Sequence, residues 1–117
     1  MVLIDTSCWV EFFKKGSDPV EKLLLTDSVI MHDFVIGELS LGQFSPNQRN
    51  KIFDLLQSLE KVTTGSHDHV LKFCYDYHLF GKGIGWVDAH LLYSTYHANA
   101  KMLSFDKNLM VLANHIL

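Results

Sequence analysis

Met1-Val2-Leu3-Ile4-Asp5-Thr6-Ser7 opens the chain with an apolar run that ends on a carboxylate and two hydroxyls. Residues 1–4 are too uniformly apolar to alternate between a wet and a dry face, so they read as a short strand buried on both sides. Thr6, a hydroxyl residue placed just before an apolar stretch, suits the cap of a helix running to about Lys15. The same grammar returns near the end, where Met102-Leu103-Ser104-Phe105 leads into Asp106. A strand at 101–105 and a helix capped by Asp106 follow from it.

Between these ends, strand-like and helix-like stretches alternate. Pro19 suits the first position of a helix over about 19–25, and 28–31 reads as a second strand. Asp33 fits the N-cap of a helix to about 42. Ser45-Pro46-Asn47 opens another, with Ile52, Leu55, Leu56 and Leu59 at helical spacing. Val62-Thr63 reads as a brief strand and 67–79 as a helix. Gly81-Lys82-Gly83-Ile84-Gly85 is a flexible loop before a helix from Trp86 to about Ala98. His115-Ile116-Leu117 reads as the start of a last short strand. Strands alternating with helices give an α/β fold with a central, mostly parallel sheet covered on both faces. The helix-heavy stretch from 33 to 98 implies a helical arm. The expected organisation is one domain over 1–117.

In such a fold the carboxyl ends of parallel strands and the adjoining helix starts share one face, where sites form. Asp5, Glu38, Asp88 and Asp106 all fall at such junctions. Two like charges about 4 Å apart cost roughly 4 kcal/mol at a surface-like dielectric. A fold that gathers four usually offsets them with a divalent cation, which makes metal-dependent hydrolysis the chemistry to test. Each acid also has a plain structural role: Asp5 and Asp106 as helix caps, Glu38 as a solvent-facing residue, and Asp88 as a first-turn charge favoured by the helix dipole.

Composition narrows the class. The chain has 117 residues, 48% apolar and 20% charged, with 10 basic and 13 acidic side chains and a net charge of −3. That balance excludes a protein that coats nucleic acid through charge alone. No apolar run reaches the roughly 20 residues that span a bilayer, and the N-terminus lacks the pattern of a secretory signal, so the expected location is cytoplasmic. Cys8 and Cys74 read as buried thiols, the histidines as surface or hydrogen-bonded groups, and Trp9, Phe12, Phe13 and Phe34 as core.

The four acids, in this order, resemble the PIN-domain ribonucleases, most of all the VapC-type toxins of toxin–antitoxin pairs. The resemblance rests on Asp5-Thr6-Ser7 after an apolar strand and on Glu38 about thirty residues on. It continues through Gly83-Ile84-Gly85-Trp86-Val87-Asp88-Ala89-His90-Leu91-Leu92 and Ser104-Phe105-Asp106-Lys107. It implies a PIN-like three-layer α/β/α fold that hydrolyses RNA phosphodiester bonds with Mg²⁺ or Mn²⁺. Asp5, Glu38 and Asp88 would be the core metal ligands, Asp106 a further ligand or water-positioning acid, and Ser7 and Ser104 supporting hydroxyls. It also implies a homodimer and a cognate antitoxin gripping the helices at 19–25 and 33–42. Ser104 stands where many relatives carry Thr, and the final strand is expected to be short.

Two other classes compete. A phosphorylation-responsive signalling module wants paired acids after the first strand and a phospho-accepting Asp after a middle one, and neither is present. A catalytically silent RNA- or protein-binding domain on the same scaffold would be expected to have lost some of the four acids.

Overall fold

A computed structural model describes residues 1–117. Its elements run β1 (Val2–Ile4), α1 (Thr6–Lys15), α2 (Asp18–Leu25), β2 (Val29–Met31), α3 (Asp33–Ser40) and α4 (Pro46–Ser58). Then come β3 (Glu60–Lys61), α5 (His67–Asp76), α6 (Trp86–His97), β4 (Lys101–Leu103) and α7 (Lys107–Ile116).

The four strands form one wholly parallel sheet in the order β3-β2-β1-β4. Leu3, Ile4 and Met31 have no exposed surface, because helices cover both faces of the central strands. The chain steps from β1 to β2 to β3 in one direction, then crosses the whole sheet to pair β4 with β1. Right-handed crossovers therefore place the helices before and after that reversal on opposite faces. Accordingly α1 packs on α2 and α3, and α3 on α4, whereas α6 packs on α5, α7 and β4. The direction changes between β1 and β4, and that is the position where ligand crevices open in sheets of this kind.

Local chemistry differs from the sequence expectations at several ends. The N-cap of α1 is Asp5, whose Oδ1 accepts from the Thr6 N–H at 2.7 Å, so the carboxylate rather than the Thr6 hydroxyl holds the first turn. The N-cap of α3 is His32, whose Nδ1 accepts from the Phe34 N–H at 2.9 Å, while Asp33 turns outward to pair with Lys61 at 3.3 Å. Ser45 and Gln48 form a reciprocal capping box at the start of α4. β3 lies two residues earlier than expected, on Glu60–Lys61. There is no strand at 115–117, because α7 continues to Ile116 with Leu109 and Ala113 buried at helical spacing.

The core gathers 21 buried residues, with Trp9 at no exposure. Phe12, Phe13 and Phe34 are only half-buried. Both thiols are free; Cys8 is buried, while Cys74 is half-buried. Two histidines are buried, His32 and His90, with rings 6.4 Å apart; His32 is hydrogen-bonded as expected. His32 Nδ1 has its capping bond, but His32 Nε2 and His90 Nδ1 have no partner. No helix is long and apolar enough to cross a membrane.

Candidate functional site

β1 and β4 end side by side. The Asp5 N–H donates to the Leu103 carbonyl at 2.9 Å, extending the pairing one residue past β1 and setting Asp5 at the sheet's carboxyl edge. Its Oδ2 accepts from Ser104 Oγ at 2.7 Å, and the same hydroxyl accepts from the Asp106 N–H at 3.0 Å. Asp106 then caps α7, with Oδ1 accepting from the Leu109 N–H at 3.1 Å. One serine thus ties together the two carboxylate-bearing junctions.

The other two acids arrive on helices. Glu38 lies on the exposed side of α3, and its Oε1 accepts from Thr6 Oγ1 at 2.7 Å, which joins α3 to the start of α1. Asp88 is the third residue of α6, and its Oδ2 accepts from the Gly85 N–H at 3.1 Å. Burial pushes its carboxyl above the ordinary value, the Gly85 bond opposes this, and the charges of Asp5, Asp106 and Glu38 push it further up. All four acids therefore share one electrostatic neighbourhood. Ser7 is exposed and its hydroxyl bonds none of them. The support in that part of the site comes from Thr6, a β-branched hydroxyl residue whose reach to α3 has no signature in local sequence.

The acids do not form a closed ligand set as they stand: no three His, Cys, Asp or Glu side chains are arranged to hold a metal ion. Each carboxylate is instead turned to a donor of the chain. The donor set is nevertheless all oxygen and strongly anionic, which suits a hard cation such as Mg²⁺ that keeps several waters and takes only a few carboxylates.

A ladder of rings flanks the acids. His67 stands 5.1 Å from Trp86, Trp86 4.8 Å from His90, His90 4.6 Å from Phe34, and Phe34 4.9 Å from His32. It packs the first turns of α3, α5 and α6 against one another. Burial pulls His32 down to about 4 and His90 down as well, so both imidazoles stand neutral at pH 7.

A three-layer fold with acids at this switch point defines a class. The family model of the PIN domain matches residues 2–114, and the chain belongs to that family, on the side of its VapC-type ribonucleases. Within the class, it is 38% identical over 110 residues to ribonuclease VapC32 of Mycobacterium tuberculosis, covering 93% of this chain and 87% of that one. The crystal structure of FitAcB from Neisseria gonorrhoeae has the same fold, with a TM-score of 0.67, 17% identity, and coverage of 97% of this chain and 94% of that one. So does PAE2754 from Pyrobaculum aerophilum, with a TM-score of 0.66, 13% identity, and coverage of 99% and 87%.

Proposed function

We propose that this protein is a divalent-cation-dependent endoribonuclease, the toxin of a toxin–antitoxin pair. The observation that carries the reading is the gathering of the acids at one edge: Ser104 ties Asp5 to the Asp106 junction, Thr6 ties Glu38 to the start of α1, and the Asp88 carboxyl is raised by burial first and then by the charges of the other three. Membership among VapC-type ribonucleases supplies the reaction class. In this reading Asp5, Glu38 and Asp88 hold Mg²⁺ or Mn²⁺, and Asp106 is a further ligand or the acid that positions the attacking water. When bound, the cation neutralises the scissile phosphate and makes the attacking water more acidic. The chain's own part is positioning. Ser104 holds Asp5, Thr6 holds Glu38, and the Gly85 N–H holds Asp88, so that each carboxylate is oriented before RNA arrives.

An RNA substrate places the protein in the cytoplasm. Its partners in this reading are a second copy of the chain and a cognate antitoxin. Leu25 and Leu41, 80% and 89% exposed at the C-terminal ends of α2 and α3, support the expectation that these helices receive the antitoxin.

The test is cleavage of a mixed RNA pool by wild type and by Asp5→Asn, with Mg²⁺ binding measured by calorimetry. Wild type should cleave with Mg²⁺ and stop with a chelator. Asp5→Asn should keep the fold and lose both cleavage and metal binding. No Mg²⁺-dependent cleavage by wild type would refute the reading, and equal cleavage by the two proteins would refute the role given to Asp5.

A further inference from the structure

Phe80-Gly81-Lys82-Gly83-Ile84-Gly85-Trp86 joins α5 to α6, and its composition exceeds what a connection needs. Phe80 is 64% exposed and Trp86 40%. Exposed apolar residues scattered singly are ordinary, but these two wall one cavity of about 230 Å³, together with Leu79, Ile84, Ala89 and Cys74. Its wall also includes Gly85, whose N–H holds Asp88, so the cavity adjoins the acidic crevice. The rings of Phe80 and Trp86 contact other partners but not each other: Phe80 meets Tyr75 and His78, and Trp86 meets His67 and His90.

No acidic side chain lines the cavity. Its aromatics touch Tyr75 and three imidazoles, Lys82 in the middle of the loop is exposed and outside both ion pairs, and Asp76 is already paired with Lys72. A cavity this small lies below the roughly 300 Å³ at which sites for drug-sized ligands begin. It suits one planar ring system, not a partner's helix.

The substrate poses a matching problem. A chain of net charge −3 with four clustered acids has little of the phosphate attraction that dominates most nucleic-acid binding. A strand must then be held by a force that does not depend on charge, and stacking of bases on aromatic faces is one. We propose that the Phe80–Trp86 loop is a subsite for one unpaired base of the RNA strand beside the scissile phosphate. Trp86 and Phe80 supply the stacking faces, and Lys82 meets the backbone. The proposal rests on the ribonuclease reading and adds to it the place where the strand is gripped.

Trp9 is fully buried, so Trp86 is the indole that solvent and quenchers reach. The Asp5→Asn protein in Mg²⁺ is titrated with hexaribonucleotides of each base, following indole fluorescence and, separately, the anisotropy of a labelled strand. The expected result is saturable quenching of Trp86 by at least one hexamer. Adding Trp86→Leu should weaken binding about tenfold, as loss of one stacked base does, while Trp86→Phe stays within roughly threefold of the parent. Lys82→Gln should lower the salt slope by about 0.7, the value for one phosphate contact on a single strand. Phe80→Ser is the second variant, with the same expectation as Trp86→Leu should that protein fail to fold. No quenching, or unchanged affinity in folded Trp86→Leu or Phe80→Ser, overturns the subsite. Shielding of Trp86 from acrylamide by the cognate antitoxin alone, and by no RNA, overturns it in favour of a protein contact. Absence of cleavage by wild type in Mg²⁺ would instead refute the ribonuclease reading, and the binding measurements on Asp5→Asn do not depend on that outcome.

Discussion

Ser104 Oγ donates to Asp5 Oδ2 at 2.7 Å, a bond between residues 99 positions apart that also leaves the hydroxyl free to accept from the Asp106 N–H. Groups that orient a metal-binding carboxylate typically cost 10–100-fold in metal affinity or activity when removed. Ser104→Ala should therefore weaken Mg²⁺ binding roughly 10–100-fold and lower stability by about 1 kcal/mol. Ser104→Thr keeps the hydroxyl and should retain most of both. Calorimetric metal titration and denaturant unfolding on the three proteins check this.

Asp88 should oppose stability in the absence of metal. Its folded carboxyl lies above the ordinary value, chiefly through burial, so the folded state holds a proton that the unfolded chain has already released. By linkage, stability falls as pH rises through the window between the two values and stays lower above it. Asp88→Asn should then melt higher than wild type at pH 7 in chelator and lose that part of the pH dependence. It should also lose cleavage. Thermal melts from pH 4 to 7.5, with and without Mg²⁺, measure both halves. A variant that melts lower than wild type in chelator contradicts the burial cost assigned to Asp88.

His32 gives a second pH dependence, of opposite sign. Burial, with a smaller push from His90, pulls its imidazole to about 4, against 6.5 for an unperturbed histidine. Above that ordinary value both states are neutral and the group is silent. As pH falls from there towards 4, the unfolded chain gains a proton that the fold refuses, and stability drops by about 3 kcal/mol. His32→Asn keeps a side chain suited to the α3 cap and removes the titration. Its unfolding free energy should be flatter than that of wild type between pH 6.5 and 4.

Arg49 holds the far end of the helix that carries Glu38. Its guanidinium donates from Nη1 to the Ser40 carbonyl and from Nη2 to the Gly42 carbonyl at 2.8 Å. These carbonyls lie at and just beyond the end of α3, where a helix lacks internal donors. Arg49→Met should cost about 1–3 kcal/mol by leaving them unsatisfied. Arg49→Lys cannot reproduce the fork and should recover only part of the loss. Urea unfolding separates the three proteins. RNA cleavage by Arg49→Met should fall less than with Ser104→Ala, because Arg49 touches none of the four acids.

The elements legible from the sequence were those with strong local grammar. The apolar run before Asp5, the Ser45-Pro46 start, and Asp106 ahead of α7 each combine burial with a cap, and the structure has an element at each. β3 has no apolar signature, because its two residues, Glu60 and Lys61, are charged and exposed; the edge position, not apolarity, makes them a strand. The tail at 115–117 looked strand-like by composition, yet the helix already running through Leu109 and Ala113 carries on through it. His32 carries no capping signature, because imidazole lies outside the usual capping set, and its burial beside His90 depends on a tertiary contact between the start of α3 and α6. The positions of Asp5, Asp88 and Asp106 at strand and helix junctions follow from the local pattern, whereas Glu38 lies inside α3. The bond from Thr6 to Glu38 has no such pattern, since it needs α1 and α3 already packed.

The pairing of β4 with β1 also bears on when the protein can first act. Asp5 lies on the first of the four strands, but the serine that orients it stands 99 positions further on, after the last of them. A nascent chain holding three of the four carboxylates still lacks the central strand's second neighbour. The Asp5 junction is therefore complete only once β4 and Ser104 have been made.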